Sequence, residues 1–480
     1  MLFNSIEFLI FLPIVFLFHW LVFSKDKTTQ NIFLLISSYA FYSFWDWRFS
    51  FLLLFSTMLD YYSGRVIDKS ETTQRRTFWM RLSIVTNIGI LCYFKYFNFF
   101  IESFTEFLDK FGIHSDPYIL NVILPIGISF YTFHGVSYVL DIYYRRIKSQ
   151  DDIIDYSLFV SYFPLLVAGP IERATHLLPQ LKGKREFKYA QGVEGCRLIL
   201  WGMFKKIVIA DSIAPIVGEI FSNYQNLTGI TLVLGVLGFA FQVYGDFSGY
   251  TDIARGVSKL FGIELILNFN FPYFSRSIPE FWSRWHISLS SWLNDYVFTP
   301  IALKYRDYGR HGIFLAVFST FLISGLWHGA AWHFIIWGAL HGLFYIPSIY
   351  SQKGLKSMVR RKGDGGLTIK DTPRIILTFT LVCFGYLFFR SSSVDHAIGY
   401  IQRIFDGLLH HSGQSISFND GRTLFVSISM LLLGDWYFKK DANTLAVPQN
   451  TYFRRLTYII LLYWVFAKMQ QETNFIYFQF

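Results

Sequence analysis

Five of the chain's 12 histidines fall within residues 286–341: His286, His311, His328, His333 and His341. An imidazole titrates near neutral pH, so it can take a proton from a hydroxyl, which is what a general base must do. His328 lies in SGLWHGAAWHFIIWGALHG, at the junction of two apolar runs. Gly325 and Gly329 flank it, and without side chains there a ligand or another helix can come close. His328 is therefore a candidate for catalysis, set beside the plainer reading of a packed imidazole bonded to a backbone carbonyl. The plainer reading is preferred for His333 and His19. His341 is balanced between packing and support of a catalytic neighbour, and His311, after Arg310, is read as solvated. Five residues turn a helix by about 140° and thirteen by about 220°, so neither His333 nor His341 shares a face with His328. A zinc pair at i and i+4 is absent, acidic and cysteine partners at useful spacing are missing, and no metal is expected.

Upstream, the stretch from Gln242 to Pro300 intersperses Asp246, Asp252, Arg255, Arg276, Glu280, Arg284, His286 and Asp295 with Phe, Tyr and Trp. It is too polar for a lipid-facing helix and too aromatic for a solvated loop. Ionisable groups at membrane depth cost several kcal/mol unless they pair or meet water. Short helices dipping into the bilayer and lining a polar cavity satisfy that condition. An amphipathic segment at the headgroup level, anchored by Trp and Tyr, is the competing reading. Asp246, Arg276, Arg284 and Asp295 are expected to form ion pairs that hold these segments. Ser288, Ser290, Ser291, Trp292 and Tyr296 are candidates to line the cavity, with nothing to rank them.

The elements that must position these groups follow from composition. The chain has 480 residues, 53% hydrophobic, 20% aromatic and 16% charged. Soluble domains carry about 25% charged residues, so the composition excludes intrinsic disorder and disfavours a set of soluble domains. A polytopic membrane protein remains. In such a chain the net charge of +10 marks cytoplasmic loops rather than a nucleic-acid groove. Cys92, Cys196 and Cys383 sit in apolar runs and form no disulfide framework. The N-terminus reads as a retained first helix, not a removed signal peptide.

A spanning helix needs roughly 20 apolar residues. Candidates run near 5–23, 31–46, 50–66, 78–101, 118–144, 154–171, 192–211, 227–245, 312–327, 331–350, 374–390, 422–438 and 456–468. Several are short or broken by Pro and Gly, so about 11 full spans are expected. Basic loops at Arg65–Arg81 and Arg145–Lys148 enclose two spans joined by a more acidic loop over 102–117, which places both basic loops in the cytoplasm and the N-terminus outside. The segment 154–171, with Pro164, Gly169 and Pro170, has basic flanks at both ends and is read as re-entrant. The loop 352–374 is another cytoplasmic candidate. The whole chain, 1–480, reads as one membrane domain, with a reaction-centre core over 242–350 and C-terminal helices of unfixed topology over 390–480.

The ordered series MLFNSIEFLIFLPIVFLFHW, LPIGISFYTFHGVSYVLDIYYRR, FPLLVAGPIERATHLLPQL, QVYGDFSGYTDIARG, RWHISLSSWLNDYVFTPI and SGLWHGAAWHFIIWGALHG resembles the membrane-bound O-acyltransferase superfamily over roughly residues 1–350. It is most similar to the bacterial branch of alginate and peptidoglycan O-acetyltransferases, with the D-alanyl transferases of teichoic acid synthesis as more distant relatives. The resemblance implies an all-α fold, a ring of about 11 transmembrane helices plus re-entrant pieces around a central funnel. It places the family's near-invariant histidine at His328 and its upstream polar partner at His286.

The resemblance further implies acetyl transfer from cytoplasmic acetyl-CoA, a substrate rather than a bound cofactor, to a hydroxyl at the outer face of a bacterial inner membrane. The acceptor belongs to an exported or cell-surface polysaccharide. No nucleic acid is implied. His328 would accept the proton of the attacking hydroxyl, while His286 would orient the acceptor or donate a hydrogen bond to the oxyanion. The cysteines have no visible activating partner, so a Cys nucleophile is not expected. Arg145, Arg146 and Lys148 could attract the phosphates of CoA or serve only as topology signals. Family members of this branch commonly work with a separate extracytoplasmic serine esterase-like protein, so the resemblance implies such a partner here, and this sequence shows no G-x-S-x-G elbow. Two alternatives stand beside this reading. One is D-alanyl transfer from a carrier-protein thioester to teichoic acid. The other is a non-catalytic transporter of acyl groups or glycan, which inverted repeats would support, and none is visible.

Overall fold

The computed structural model describes residues 1–114, 124–351, 368–410, 412–438 and 450–469. Most of the basic loop 352–374, the acidic Asp116 and the beginning of the 118–144 candidate lie outside the described residues. The architecture is all helical; among the described residues the strand-like pairing is confined to an isolated bridge between Leu227 and Gln414. Among the described residues four helices are long and apolar enough to cross a bilayer: Thr73–Lys95, Gly229–Leu260, Arg306–His328 and Ile369–Arg390. Helix Thr451–Lys468 leaves Phe453, Ile459, Tyr463 and Phe466 more than half exposed. Such a surface suits hydrocarbon, not water. The chain folds as a multi-pass membrane protein.

Two compact units are present. The first comprises Met1–Ile199 and Thr251–Ile266. In it, helices Arg48–Lys69, Thr73–Lys95 and Ile128–Tyr143 meet around Asp60. Ser83 Oγ and Asn87 Nδ2 donate to Asp60 Oδ1 at 2.6 and 2.8 Å, and Ser56 Oγ donates to Asn87 Oδ1 at 2.6 Å. Polar side chains paired in this way hold apolar helices together where the hydrophobic effect between them is weak. Gly135 lies directly against the Asp60 carboxylate, in the space a Cβ would take. Glycine-to-alanine substitution inside a helix ordinarily stabilises it by about 1 kcal/mol. Here Gly135→Ala is expected to destabilise by about 1–3 kcal/mol, as overpacking does, and thermal unfolding of the detergent-solubilised protein checks the sign.

The 154–171 segment folds as Ile153–Ser161 and Phe163–Leu166, broken at Tyr162. Every residue from 155 to 172 is buried. Irregular backbone at membrane depth is tolerated where protein surrounds it, and this break satisfies that rule. Just beyond it, the Glu172 carboxylate hydrogen-bonds His176 Nδ1 at 2.7 Å and accepts from the Ile266 N–H at 2.7 Å. The bond to Glu172 holds the His176 imidazole above its ordinary range, against the opposing effect of its partial burial.

His19, in helix Ile6–Leu21, departs from expectation. Neither of its ring nitrogens has a hydrogen-bond partner among the described residues. The ring instead lies edge-on to Trp20 at 4.7 Å and to Phe261 at 5.2 Å, where rings occupy the space a carbonyl would need.

The second unit comprises Leu200–Tyr250 and Leu267–Phe480. Its centre is a hairpin of helices Gly309–His328 and Trp332–Phe344. Gly325 packs on the Phe334 carbonyl, Gly338 on the Phe321 carbonyl, and the Phe334 ring fills the space beside Gly329. The close approach that Gly325 and Gly329 allow is thus made by another helix.

The polar stretch after Gln242 does not begin with short helices. Gly229–Leu260 is one continuous helix of 32 residues. It persists because its ionisable groups are paired: Asp246 lies 2.8 Å from Lys206, Asp252 lies 3.3 Å from Arg255, and Lys259 lies 3.1 and 2.9 Å from Glu194 and Glu264. Short elements follow only after it, as Ile278–Trp282, Ile287–Leu293 and Thr299–Lys304.

Candidate active site

His286 precedes helix Ile287–Leu293 in a left-handed backbone conformation, φ 44° and ψ 54°. A side chain other than glycine or asparagine adopts this region at a cost, and such residues cluster at functional sites. Two main-chain bonds tie its segment to residues 268–270: Ile287 N–H to the Asn268 carbonyl at 2.9 Å, and Asn270 N–H to the Arg284 carbonyl at 2.9 Å. Asn268 Oδ1 accepts from the Ser288 N–H at 3.2 Å and from Ser288 Oγ at 2.9 Å, and lies 3.1 Å from His286 Nδ1. The imidazole stands edge-on to Phe247 at 4.7 Å between ring centres and is 1% exposed.

His328 ends helix Gly309–His328 and is 6% exposed. Trp337 and Phe389 meet its ring edge-on at 4.8 and 5.1 Å. The two imidazoles come together on one indole: Trp327 lies 4.8 Å from His328 and 6.2 Å from His286. Both rings are therefore enclosed by protein and bridged by a single side chain, although 42 positions separate them in sequence.

The other histidines divide as follows. His333 Nδ1 hydrogen-bonds the Phe388 carbonyl at 3.3 Å, a structural role. His341 accepts from Trp282 Nε1 at 3.3 Å and lies 4.9 Å from Trp337, the indole that backs His328. It packs behind the site without meeting His328 directly. His311 hydrogen-bonds the Tyr350 hydroxyl at 2.8 Å on the exposed surface.

Ion pairs hold the surrounding segments. Glu280 takes both nearby arginines, Arg276 at 3.0 Å and Arg284 at 2.8 Å. Asp246 joins a buried group that sequence reasoning missed. Lys206 Nζ lies 2.7 Å from Asp211 and 2.8 Å from Asp246, and Lys205 Nζ donates to Ser248 Oγ at 2.9 Å. Lys205 and Lys206 sit in a π-helical turn, Phe204–Ala210, whose wider register brings Asp211 under Lys206. Such turns are rare and are frequent at functional sites. Phe247, between the anchored Asp246 and Ser248, is the ring that rests on His286, so this cluster fixes one wall of the site. The available signal was two adjacent lysines in an otherwise apolar run. Asn268 is the second omission, an amide between Leu267 and Phe269 with a second amide, Asn270, two residues on.

Two buried imidazoles joined by one indole in an aromatic enclosure suit transfer chemistry, in which charge develops and must be stabilised away from water. Residues 143–363, which contain both imidazoles, match the membrane-bound O-acyltransferase family. A probable alginate O-acetylase, AlgI, of Pseudomonas aeruginosa is 38% identical over 402 residues, 83% of this chain and 73% of that protein. The chain belongs to the membrane-bound O-acyltransferase family. It is an acyltransferase. A peptidoglycan O-acetyltransferase of Helicobacter pylori is 31% identical over 453 residues, 87% of this chain and 81% of that protein. A teichoic acid D-alanyltransferase of Bacillus subtilis is 31% identical over a shorter stretch, 62% of this chain and 76% of that protein.

Proposed function

We propose that this acyltransferase moves an acetyl group from cytoplasmic acetyl-CoA to a hydroxyl at the outer face of the bacterial inner membrane, for O-acetylation of an alginate-like or peptidoglycan-like polysaccharide. The N-terminus lies outside in this reading. The observation that carries it is the meeting of His286 and His328 on Trp327, within the family region. The long, high-coverage likeness to O-acetylases supports acetyl over D-alanyl as the group moved.

His328 accepts the proton of the attacking hydroxyl, and the hydroxyl oxygen bonds to the thioester carbonyl carbon. The carbon–sulfur bond then breaks, and the CoA thiolate leaves with the proton that His328 took. His286 orients the acceptor or stabilises the oxyanion. The thioester is already activated, so no covalent enzyme intermediate is required. Where an extracytoplasmic serine esterase-like partner takes part, its serine is the attacking hydroxyl, and the ester so formed is then broken as the acetyl group passes to a polysaccharide hydroxyl.

His286→Ala is expected to lower O-acetylation by about 10- to 100-fold, the cost of losing one hydrogen bond to the reacting groups. Ester-linked acetate on isolated glycan, with membrane abundance checked by immunoblot, measures it. The function itself is tested by deleting the gene and restoring it. Loss and recovery of glycan O-acetate supports the proposal. Loss of D-alanine from teichoic acid, with glycan acetate unchanged, would transfer the assignment to the D-alanyl reading.

A further inference from the structure

We propose that Asn268 is a positioning residue that locks His286 into one tautomer and so decides its role. This rests on the reading above, in which His286 serves acyl transfer. A main-chain N–H can only donate, so the Asn268 atom 3.2 Å from it is the amide oxygen, which fixes the orientation of the side chain. That oxygen can only accept. His286 Nδ1, 3.1 Å away, therefore carries the hydrogen. In the neutral ring the lone pair then lies on Nε2.

A neutral His286 of this tautomer has no second N–H with which to stabilise an oxyanion. It acts as a hydrogen-bond acceptor. It holds the acceptor substrate through a polar hydrogen next to the hydroxyl whose proton goes to His328. The same Asn268 holds the strained main chain, since its carbonyl receives the Ile287 N–H at 2.9 Å. One residue thus sets both the tautomer and the placement of the ring. The faces packed on His286 are Phe247, Phe269 and Trp327. The ionisable groups beside those faces are Asp246, which Lys206 holds, and His328. Neither of these reaches Nδ1 among the described contacts. Ser288 Oγ does, at 3.4 Å, but its hydrogen goes to Asn268 Oδ1 at 2.9 Å, so towards Nδ1 it is an acceptor and the hydrogen stays on the ring.

The test has a spectroscopic and a kinetic arm, both on the full chain in proteoliposomes. With 15N-labelled histidine, the difference between parent and His286→Gln isolates the His286 signals. A protonated Nδ1 and an unprotonated Nε2 are expected in the parent and in Asn268→Asp, and mixed tautomers in Asn268→Leu. In the kinetic arm acetyl-CoA is the donor and O-acetate formation is read. Asn268→Leu is expected to lose turnover by about 100-fold, as outer partners of a working imidazole do, with KM for acetyl-CoA within twofold. Asn268→Asp restores most of the rate. It moves the acid limb of the pH profile to higher pH, because a carboxylate favours the charged imidazolium. A purely structural role would move neither the tautomer nor that limb. Protonated Nε2 in the parent, or parent-like turnover in Asn268→Leu, overturns the proposal. If Asn268→Leu does not reach the membrane, the Asp variant decides alone, and an unshifted acid limb counts against the proposal. If the tautomer is as stated but His286→Gln keeps full activity, it is the catalytic reading of the site that fails, not the tautomer assignment.

Discussion

His328→Ala is expected to reduce acyl transfer by about a thousandfold or more at unchanged abundance, within the range for removing a positioned general base. Neither His341 nor His333 can take over. His341 is separated from the reacting region by Trp337, and His333 is committed to the Phe388 carbonyl. The substitution also removes a ring from contact with Trp337 and Phe389, and a buried truncation of this size costs a few kcal/mol. His328→Gln retains most of the volume without the basic nitrogen. Equal loss in the alanine and glutamine variants, with both present in the membrane at parent levels, assigns the effect to chemistry. Recovery of activity in the glutamine variant would assign it to packing.

Lys206→Ala is expected to cost about 3–5 kcal/mol of stability, the range for breaking a buried ion pair by removing one partner. Lys206, Asp211 and Asp246 each have side chains only 2–3% exposed, and both carboxylates lie against the Lys206 ammonium. Without it two carboxylates stand close together with little solvent to separate them. The protein should fail to accumulate, and glycan acetate should fall with it. The triple variant Lys206→Met, Asp211→Asn, Asp246→Asn removes the charges together, and it is expected to recover much of the abundance lost by Lys206→Ala. Immunoblot of membranes from cells expressing each variant reads both outcomes. Parent-level accumulation of Lys206→Ala would show that the cluster is not a structural anchor.

Much of this site was legible because its signals are local. Arg276 and Glu280 stand four residues apart, as do Glu280 and Arg284, and both pairs form on short helical turns. Pro164 and Gly169 marked a broken segment, and the chain breaks there at Tyr162. What was not legible depends on contacts between distant residues. Asp246 was expected in an ion pair, but its partner lies 40 positions upstream on a helix read only as an apolar span. The π-helical turn that presents Lys206 has no sequence period of its own. Glycines beside His328 permitted a ligand or a helix, and only the packing of Phe334 decides between them. His19 and His333 look alike in sequence. One meets rings and the other a carbonyl, because what surrounds each is set by other elements. The pairing of His286 with His328 came from family resemblance; spacing alone would not have joined them.

The reaction proposed is acetyl transfer from a thioester to a hydroxyl through an imidazole pair enclosed in the protein. Purified full-length protein in proteoliposomes, supplied with radiolabelled acetyl-CoA as the sole acyl donor and with polysaccharide acceptor and the esterase-like partner, tests it directly. Alkali-labile label should appear on the acceptor with the parent and be absent with His328→Ala. Transfer by His328→Ala at the parent rate would contradict the account.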